Sequence, residues 1–244
     1  MSYRITGTGS CIPDITKKNS DFLKNKFLDI DGGKFQSSNS EIIDKFNSIT
    51  GIYERRYAPD EINSSDLAAV AAGIAINDSK LDQETLDYII VAHNTGDISC
   101  SSGQVDTLPS IASKVKAKLK IKNPNCVAYD IICGCPGWVE GIIQAKSFIK
   151  SGMAKKCLVI GCDTLSRILD ENDRDSMIYA DGSGAIVLES DSLYDGGILS
   201  HKSATFTYEG ENDYIFYGSS YDTNKRTKSD QKFIKMQGRK VYEF

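Results

Sequence analysis

The feature that most limits what this chain can fold into is its alternation between two periods. Five short runs are rich in Val and Ile and are bounded by Gly, Asn or Asp, which marks them as strands: Arg4 to Ile12, Tyr88 to His93, Cys126 to Ile132, Lys156 to Cys162 and Ala185 to Glu189. Helical patterns lie between them. Ser64 or Ser65 is the expected cap of a helix that carries Leu67, Val70, Ala71 and Ile74 on one face. "LPS" opens a second helix, with Pro109 suited to its first turn and Ile111, Ala112, Val115 and Leu119 as its buried stripe. A third follows Cys135. Its polar side is Glu140, Gln144 and Ser147, its other faces are nearly all apolar, and Gly152 closes it. Parallel neighbours in a sheet need a crossover connection, so the pattern predicts an α/β fold of order βαβαβαββ, with a mostly parallel sheet covered by helices. The third helix is expected to be the most buried.

Beyond Ser190 the texture changes. The stretch "TFTYEGENDYIFYGSSYDTNKRTKSDQKF" is rich in Tyr, Asp, Asn, Ser and Lys and holds no sustained period, so it reads as a long excursion or cap. The chain closes on "MQGRKVYEF", an apparent helix start. The expected division is therefore 1–190, carrying the strands and helices, and 191–244, a cap or connecting segment.

Composition narrows the function classes. A formal net charge of −4 opposes the phosphate attraction on which nucleic-acid binding depends. The longest apolar stretch, Leu67 to Ile76, is too short to cross a bilayer, and "MSYRITGTG" lacks the design of a secretory signal. A cytoplasmic protein without nucleic-acid or membrane partners is expected. Its seven cysteines are an odd number placed mostly in strand-like runs, which suits reduced thiols better than a disulfide framework. Neither His93 nor His201 lies near the close pair Cys133 and Cys135 in sequence, so no metal site and no cofactor are expected.

Cys135 is the residue that chemistry singles out. It sits between a strand and a helix, where Gly134 and Gly137 permit a tight turn and Pro136 is preset for helical entry. A helix N-terminus offers unpaired N–H groups and the positive end of the dipole, which stabilise a thiolate and bind a developing oxyanion. Such a thiol suits a nucleophile with a thioester intermediate; it equally suits a small apolar residue packed where strand meets helix. Cys133, Cys126, Cys157 and Cys162 read as packing residues. His93 ends a strand and reads as structural, His201 reads as solvated, and the glycines of "DGSGA" precede a strand and not a helix. Lys114, Lys118 and Lys122 form a stripe read as a wet face, on which an acidic carrier protein has room to dock.

Several motifs in register resemble a known family. "TGIYERRYA", "SSDLAAVAA", "LPSIASKVKAKLKI", "VAYDIICGCPGW", "FIKSGMAKKCLVIG", "LSRILDENDRDSMIYADGSGAIVLE" and "MQGRKVYEF" are similar, in order and spacing, to the β-ketoacyl-acyl-carrier-protein synthase III family. The resemblance runs from Arg4 to the C-terminus. It implies a thiolase-like fold and an acyltransferase of fatty-acid or related secondary-metabolite biosynthesis. The implied chemistry is acyl transfer to a Cys, followed by decarboxylative Claisen condensation with a malonyl thioester. Cys135 matches the family's nucleophile, with its N–H in the oxyanion hole. Leu108 matches the position that reaches across a homodimer to line the partner's acyl pocket. The implied partners are acyl-carrier-protein or coenzyme A thioesters and a second copy of the chain.

Three departures from the family pattern shape the expectations. The family's catalytic His and Asn lie on the second thiolase-like half; this chain is expected to stop as that half begins, to be inactive alone in condensation, and to be poorly soluble or oligomeric. Where members that prime from coenzyme A usually carry a Trp and an Arg, this chain has Lys45 and Ile49, and its one Trp is Trp138, which favours a carrier-bound acyl donor. The loop from Asn94 to Leu108 is longer than in the simplest members. Two alternatives accompany this reading: a non-catalytic partner subunit of a ketosynthase heterodimer, and a simple thioesterase or acyltransferase acting through Cys135 alone.

Overall fold

A computed structural model describes residues 2–226 and 230–244. Its Cα packing groups the chain into two compact units, each assembled from three separate segments. The first comprises residues 1–14, 58–164 and 181–202, the second 15–57, 165–180 and 203–244.

The first unit holds a five-stranded sheet. Its strands are β1 (Tyr3–Cys11), β2 (Tyr88–His93), β3 (Val127–Ile132), β4 (Lys156–Thr164) and β5 (Asp181–Ser190), in spatial order β1-β5-β4-β2-β3. β2 pairs in parallel with both β3 and β4, whereas β5 is antiparallel to both of its neighbours. Four of the five strands thus run one way, as the alternation of strand and helix requires. The helices are α1 (Ser64–Ser79), α2 (Ile111–Lys118) and α3 (Gly137–Ser151).

Alternation along the strands divides the interior into two layers. Ile89 and Val91 of β2, Leu158, Ile160 and Cys162 of β4, and Ala185 and Val187 of β5 pack with α1 and α2 on one face. Ile90, Cys157, Val159, Ile186 and Leu188 pack with Ile142, Ala145 and Ile149 of α3 on the other. The sheet is therefore sandwiched between helices, and both faces are apolar.

The most buried helix is α1, not α3. Eight of its 16 residues are buried, four of them alanines, against six of 15 in α3, although Val70 and Ile74, expected on the apolar face of α1, are exposed. Small residues on both sides explain the closeness of α1 to β1: a Cβ on Gly7 would lie 2.1 Å from the Ala75 carbonyl oxygen, and one on Gly9 2.1 Å from that of Ala71. Helix starts also differ in detail from the sequence reading. The cap of α1 is Asn63, whose N–H donates to Asp66 at 2.9 Å, and Ser64 and Ser65 are instead buried in the first turn. Pro109 precedes the cap of α2, which is Ser110, whose Oγ accepts from Ser113 N at 3.1 Å.

In the second unit, strands Ile15–Lys18 and Glu54–Tyr57 pair antiparallel beside a helix, Asn39–Thr50, that the sequence reading did not assign. Ser38 and Glu41 form its capping box and Gly51, at φ +68°, closes it. Phe22, Phe27, Ile42, Ile43 and Met177 form the core. The stretch read as lacking a period contains a hairpin, Ile215–Gly218 with Phe233–Met236. The hairpin's Lys235 is wholly buried, its Nζ 2.7 Å from Asp170, 3.2 Å from Asp173 and 3.5 Å above the Tyr221 ring. An ammonium can be buried there because two carboxylates and an aromatic face replace its water. The apparent helix start at the end of the chain, expected to have no helix after it, continues into a short helix, Gly238–Glu243.

Gly9→Ala tests the closeness of α1. A backbone carbonyl stands where the methyl must go, so the variant should lose about 2–3 kcal/mol in urea unfolding. A loss below about 0.5 kcal/mol would contradict the packing.

Candidate active site

The carboxyl ends of the adjacent parallel strands β2, β3 and β4 bring one group of polar residues together. In open α/β sheets this is where ligand-facing loops collect, because each strand there hands over to a connection. β2 ends at His93 and leads to Asn94, β3 ends at Ile132 and leads to Cys133, and β4 ends with Asp163 and Thr164.

After β3, Cys133-Gly134-Cys135-Pro136 turns the chain into α3. Gly134 adopts φ +63°, a left-handed conformation that side chains disfavour. Pro136 is the N-cap, with φ −74° and ψ −8°. The turn is closed by Gly137 N–H donating to Gly134 O at 3.0 Å and Glu140 N–H donating to Pro136 O at 3.1 Å. Two further glycines let α3 sit low on the sheet: a Cβ on Gly141 would lie 2.9 Å from Val159, and one on Gly137 3.1 Å from Ala92. Cys135 is left exposed at the start of a 15-residue helix. Its N–H donates to no acceptor among the described residues. An exposed thiol beside an unpaired amide and the positive end of a helix dipole has the geometry of a nucleophile with an anion-accepting donor of its own.

Behind the turn lies a hydrogen-bonded framework. Asn94 lines one side, with its Oδ1 3.5 Å from where a Cβ on Gly134 would stand. It is held by Asp163, which accepts from Asn94 N at 2.9 Å and from Nδ2 at 2.6 Å. Burial pushes the Asp163 carboxyl above the usual carboxylate range even against those hydrogen bonds. His93 is buried with both ring nitrogens engaged: Nδ1 accepts from Gly96 N at 2.9 Å, which leaves Nε2 to donate to Asp130 at 3.0 Å. Asp130 also accepts from Ile111 N at 2.7 Å and Ala112 N at 2.8 Å, so one carboxylate on β3 joins β2 to the N-terminus of α2. Burial alone would raise its pKa; hydrogen bonds from His93, Ala112 and Ile111 outweigh it and hold the carboxyl below the usual range.

On this geometry the described chain compares with known proteins as follows. The profile of 3-oxoacyl-[acyl-carrier-protein] synthase III matches residues 129–205, from within β3 through the Cys135 turn to beyond β5. A β-ketoacyl-[acyl-carrier-protein] synthase III of Neisseria gonorrhoeae (strain NCCP11945) is 39% identical over 192 residues, covering 78% of this chain and 53% of its own length. Another, synthase III 1 of Vibrio vulnificus (strain YJ016), is 35% identical over 245 residues, all of this chain and 67% of the relative. This chain belongs to the β-ketoacyl-[acyl-carrier-protein] synthase III family. Among solved structures, the synthase III of Pseudomonas aeruginosa PAO1 superposes with a TM-score of 0.76 at 26% identity, over all of this chain and 67% of that one. That of Aquifex aeolicus VF5 gives 0.71 at 28%, over 99% and 67%. The sheet-and-helix architecture is thus the thiolase-like fold expected from the resemblance. The chain spans about half the length of the first curated relatives it matches.

The other residues singled out in the sequence fall as follows. Leu108 is 85% exposed, its N–H donating to Asp106 at 3.1 Å. Cys126, Cys157 and Cys162 are buried, as expected of packing residues, and burial pushes the Cys157 thiol up to about 12. Cys133, expected to pack, is instead exposed, because β3 ends one residue earlier and the chain has already begun its turn. His201 is exposed as expected, with Nδ1 3.3 Å from Lys146 Nζ. The lysine stripe is not simply wet: Lys114 lies 3.0 Å from Asp97 and 2.8 Å from Asp106, and Lys118 lies 2.7 Å from Asp66. Sequence reading missed Asn94, Asp130 and Asp163. The signal for Asp130 was available, since a carboxylate within the apolar run "VAYDII" requires buried partners.

Asp130→Asn removes an acceptor from three donors and should cost about 2 kcal/mol at pH 7. The sign of its pH dependence follows from its lowered pKa. The wild-type contribution is complete above the unfolded carboxylate value of about 3.9 and is lost as pH falls through the folded one. The gap between variant and wild type in urea unfolding should therefore narrow below about pH 4. A gap that is constant from pH 7 to pH 3 would contradict the assigned charge.

Proposed function

We propose that this chain supplies the acyl-accepting site of a β-ketoacyl-acyl-carrier-protein synthase III, an acyltransferase in fatty-acid or polyketide biosynthesis. The observation that carries the reading is the exposed Cys135 thiol at the N-terminus of α3, beside its own unpaired N–H. The thiolate attacks the carbonyl carbon of an acyl thioester; the carbonyl oxygen becomes an oxyanion that the Cys135 N–H is placed to receive. Collapse of that intermediate expels the donor's thiolate and leaves the acyl group on Sγ. Gly134 and Pro136 set the approach of the Cys135 thiol at the start of α3. In the full reaction the acyl enzyme is then attacked by the carbanion formed when a malonyl thioester loses carbon dioxide.

Within this proposal residues 1–190 form the N-terminal thiolase-like half that carries the nucleophile. Residues 191–244 form the connecting segment and the start of the second half. Leu108, exposed as a pocket residue shared with a second copy would be in one isolated chain, lines the acyl pocket of a homodimer partner. Lys45 and Ile49 stand where stacking and phosphate pairing would favour coenzyme A, so a carrier-protein thioester is the proposed donor. The working compartment is the cytoplasm; among the described residues no helix is long and apolar enough to cross a membrane.

Intact-mass spectrometry of the chain after incubation with acyl-carrier-protein and acyl-coenzyme A thioesters tests the reading. A mass gain of one acyl group is expected, greater with the carrier-bound donor and lost in Cys135→Ala. Acylation that persists in that variant would overturn the assignment.

A further inference from the structure

The exposure of Cys133 leaves one thiol without a role in the reaction just described. Of the seven cysteines, Cys126, Cys157 and Cys162 are buried, and Cys11 is half-buried with its thiol pushed up by burial. Cys100 is exposed but lies on the separate loop between the short paired strands Asp97–Ile98 and Val105–Asp106. Only Cys133 and Cys135 are both exposed and adjacent in the chain but for one residue.

The backbone between them brings them together. Two trans peptide units separate their Cα atoms, which caps the distance at about 7.6 Å even if fully straight. Gly134, at φ +63°, and the Gly137 N–H donating to Gly134 O at 3.0 Å make this short segment part of a turn, and disulfides span Cα separations of about 4.4–6.8 Å, below that ceiling. Room is also available on the helix side, because Gly137 has no side chain where its Cβ would stand 3.4 Å from Cys133 Cβ. Both thiols thus belong to the exposed turn that enters α3, where an oxidant in solvent can reach them.

We propose that Cys133 is a resolving thiol for Cys135, and that oxidation joins the two in a reversible Cys-Gly-Cys disulfide that blocks acyl transfer. The regulatory consequence rests on the proposed role of Cys135. The chemistry is balanced with a peroxide as oxidant. The Cys135 thiolate attacks one oxygen of hydrogen peroxide; the S–O bond forms, the O–O bond breaks, hydroxide leaves and is protonated to water, and the sulfur, oxidised by two electrons, becomes a sulfenic acid. The Cys133 thiolate then attacks that sulfur, the S–S bond forms, and hydroxide departs as water after taking up a proton. A dithiol reductant reverses it by exchange, returning two thiols. Without Cys133 the sulfenic acid has no neighbour to resolve it and proceeds to the irreversible sulfinic and sulfonic acids.

The test uses the whole chain, wild type and Cys133→Ser, treated with a graded excess of hydrogen peroxide and then with dithiothreitol. Peptide mass mapping and acyl-thioester loading are read before and after. Wild type is expected to lose two hydrogens in the peptide holding Cys133 and Cys135, to lose acyl loading, and to recover most of both on reduction. Cys133→Ser should load acyl groups like wild type before treatment, then gain two or three oxygens on Cys135 and recover less than a fifth of its loading. Absence of the linked peptide in folded wild type, or equal recovery in Cys133→Ser, would overturn the proposal. The readouts separate the two ideas. A linked peptide in a protein that never loads acyl groups supports the thiol pair and sinks the acyl-transfer reading. Loading without any linked peptide sinks the pair alone.

Discussion

The candidate site depends on one carboxylate, that of Asp130. It sits on β3, yet it receives the His93 ring from β2 and two backbone N–H groups from the first turn of α2. A carboxylate this little exposed is tolerated only when its acceptor sites are filled, and three donors from two other elements fill them. The consequence is geometric. The carboxyl ends of β2 and β3 are fixed to one another and to a helix, so the turn that leaves β3 three residues later begins from a defined position. Asn94, held by Asp163 of β4, extends the same bracing to the third strand. The turn that presents Cys135 to solvent thus starts from braced strand ends.

Glycine does complementary work. Gly7 and Gly9 admit α1 on one face of the sheet, and Gly137 and Gly141 admit α3 on the other. Close approach matters most for α3, because it sets how deep the Cys135 turn sits at the strand ends. Gly134 has the separate duty of turning the backbone so that strand and helix meet over a short connection. Each of these positions trades chain entropy for proximity, a trade that pays where a helix must lie against a sheet.

Much of the first unit was legible in the sequence because its signals are local. Strands that are apolar on both faces, helices with apolar stripes, and the Gly-Cys-Pro-Gly break all follow from the period of a few residues, and the structure follows them closely. Less legible were features that depend on partners far away in the chain. Ser64 and Ser65 look like caps but bond to Thr164 and Asp97, which lie beside them only after folding. Lys114 and Lys118 look like a solvated stripe but are taken up by acids from other elements. The hairpin holding Lys235 lacked a visible period because its strands are four residues each and the second carries Lys235, whose charge is neutralised by Asp170 and Asp173. Of the site itself, Cys135 was legible from its turn and the family resemblance, whereas Asn94 and Asp163 emerge only when three strand ends are set side by side.

The central claim is that the fold makes Cys135 chemically distinct and not simply exposed. The most direct measurement is peptide-resolved alkylation of the folded chain by iodoacetamide at neutral pH, comparing Cys135 with Cys100, an exposed thiol on the loop between Asp97–Ile98 and Val105–Asp106. The account predicts that Cys135 reacts at least about tenfold faster than Cys100, while Cys126, Cys157 and Cys162 stay unmodified until the chain is unfolded. Equal rates for Cys135 and Cys100 would contradict it, because they would show a thiol that the turn and helix present to solvent without activating.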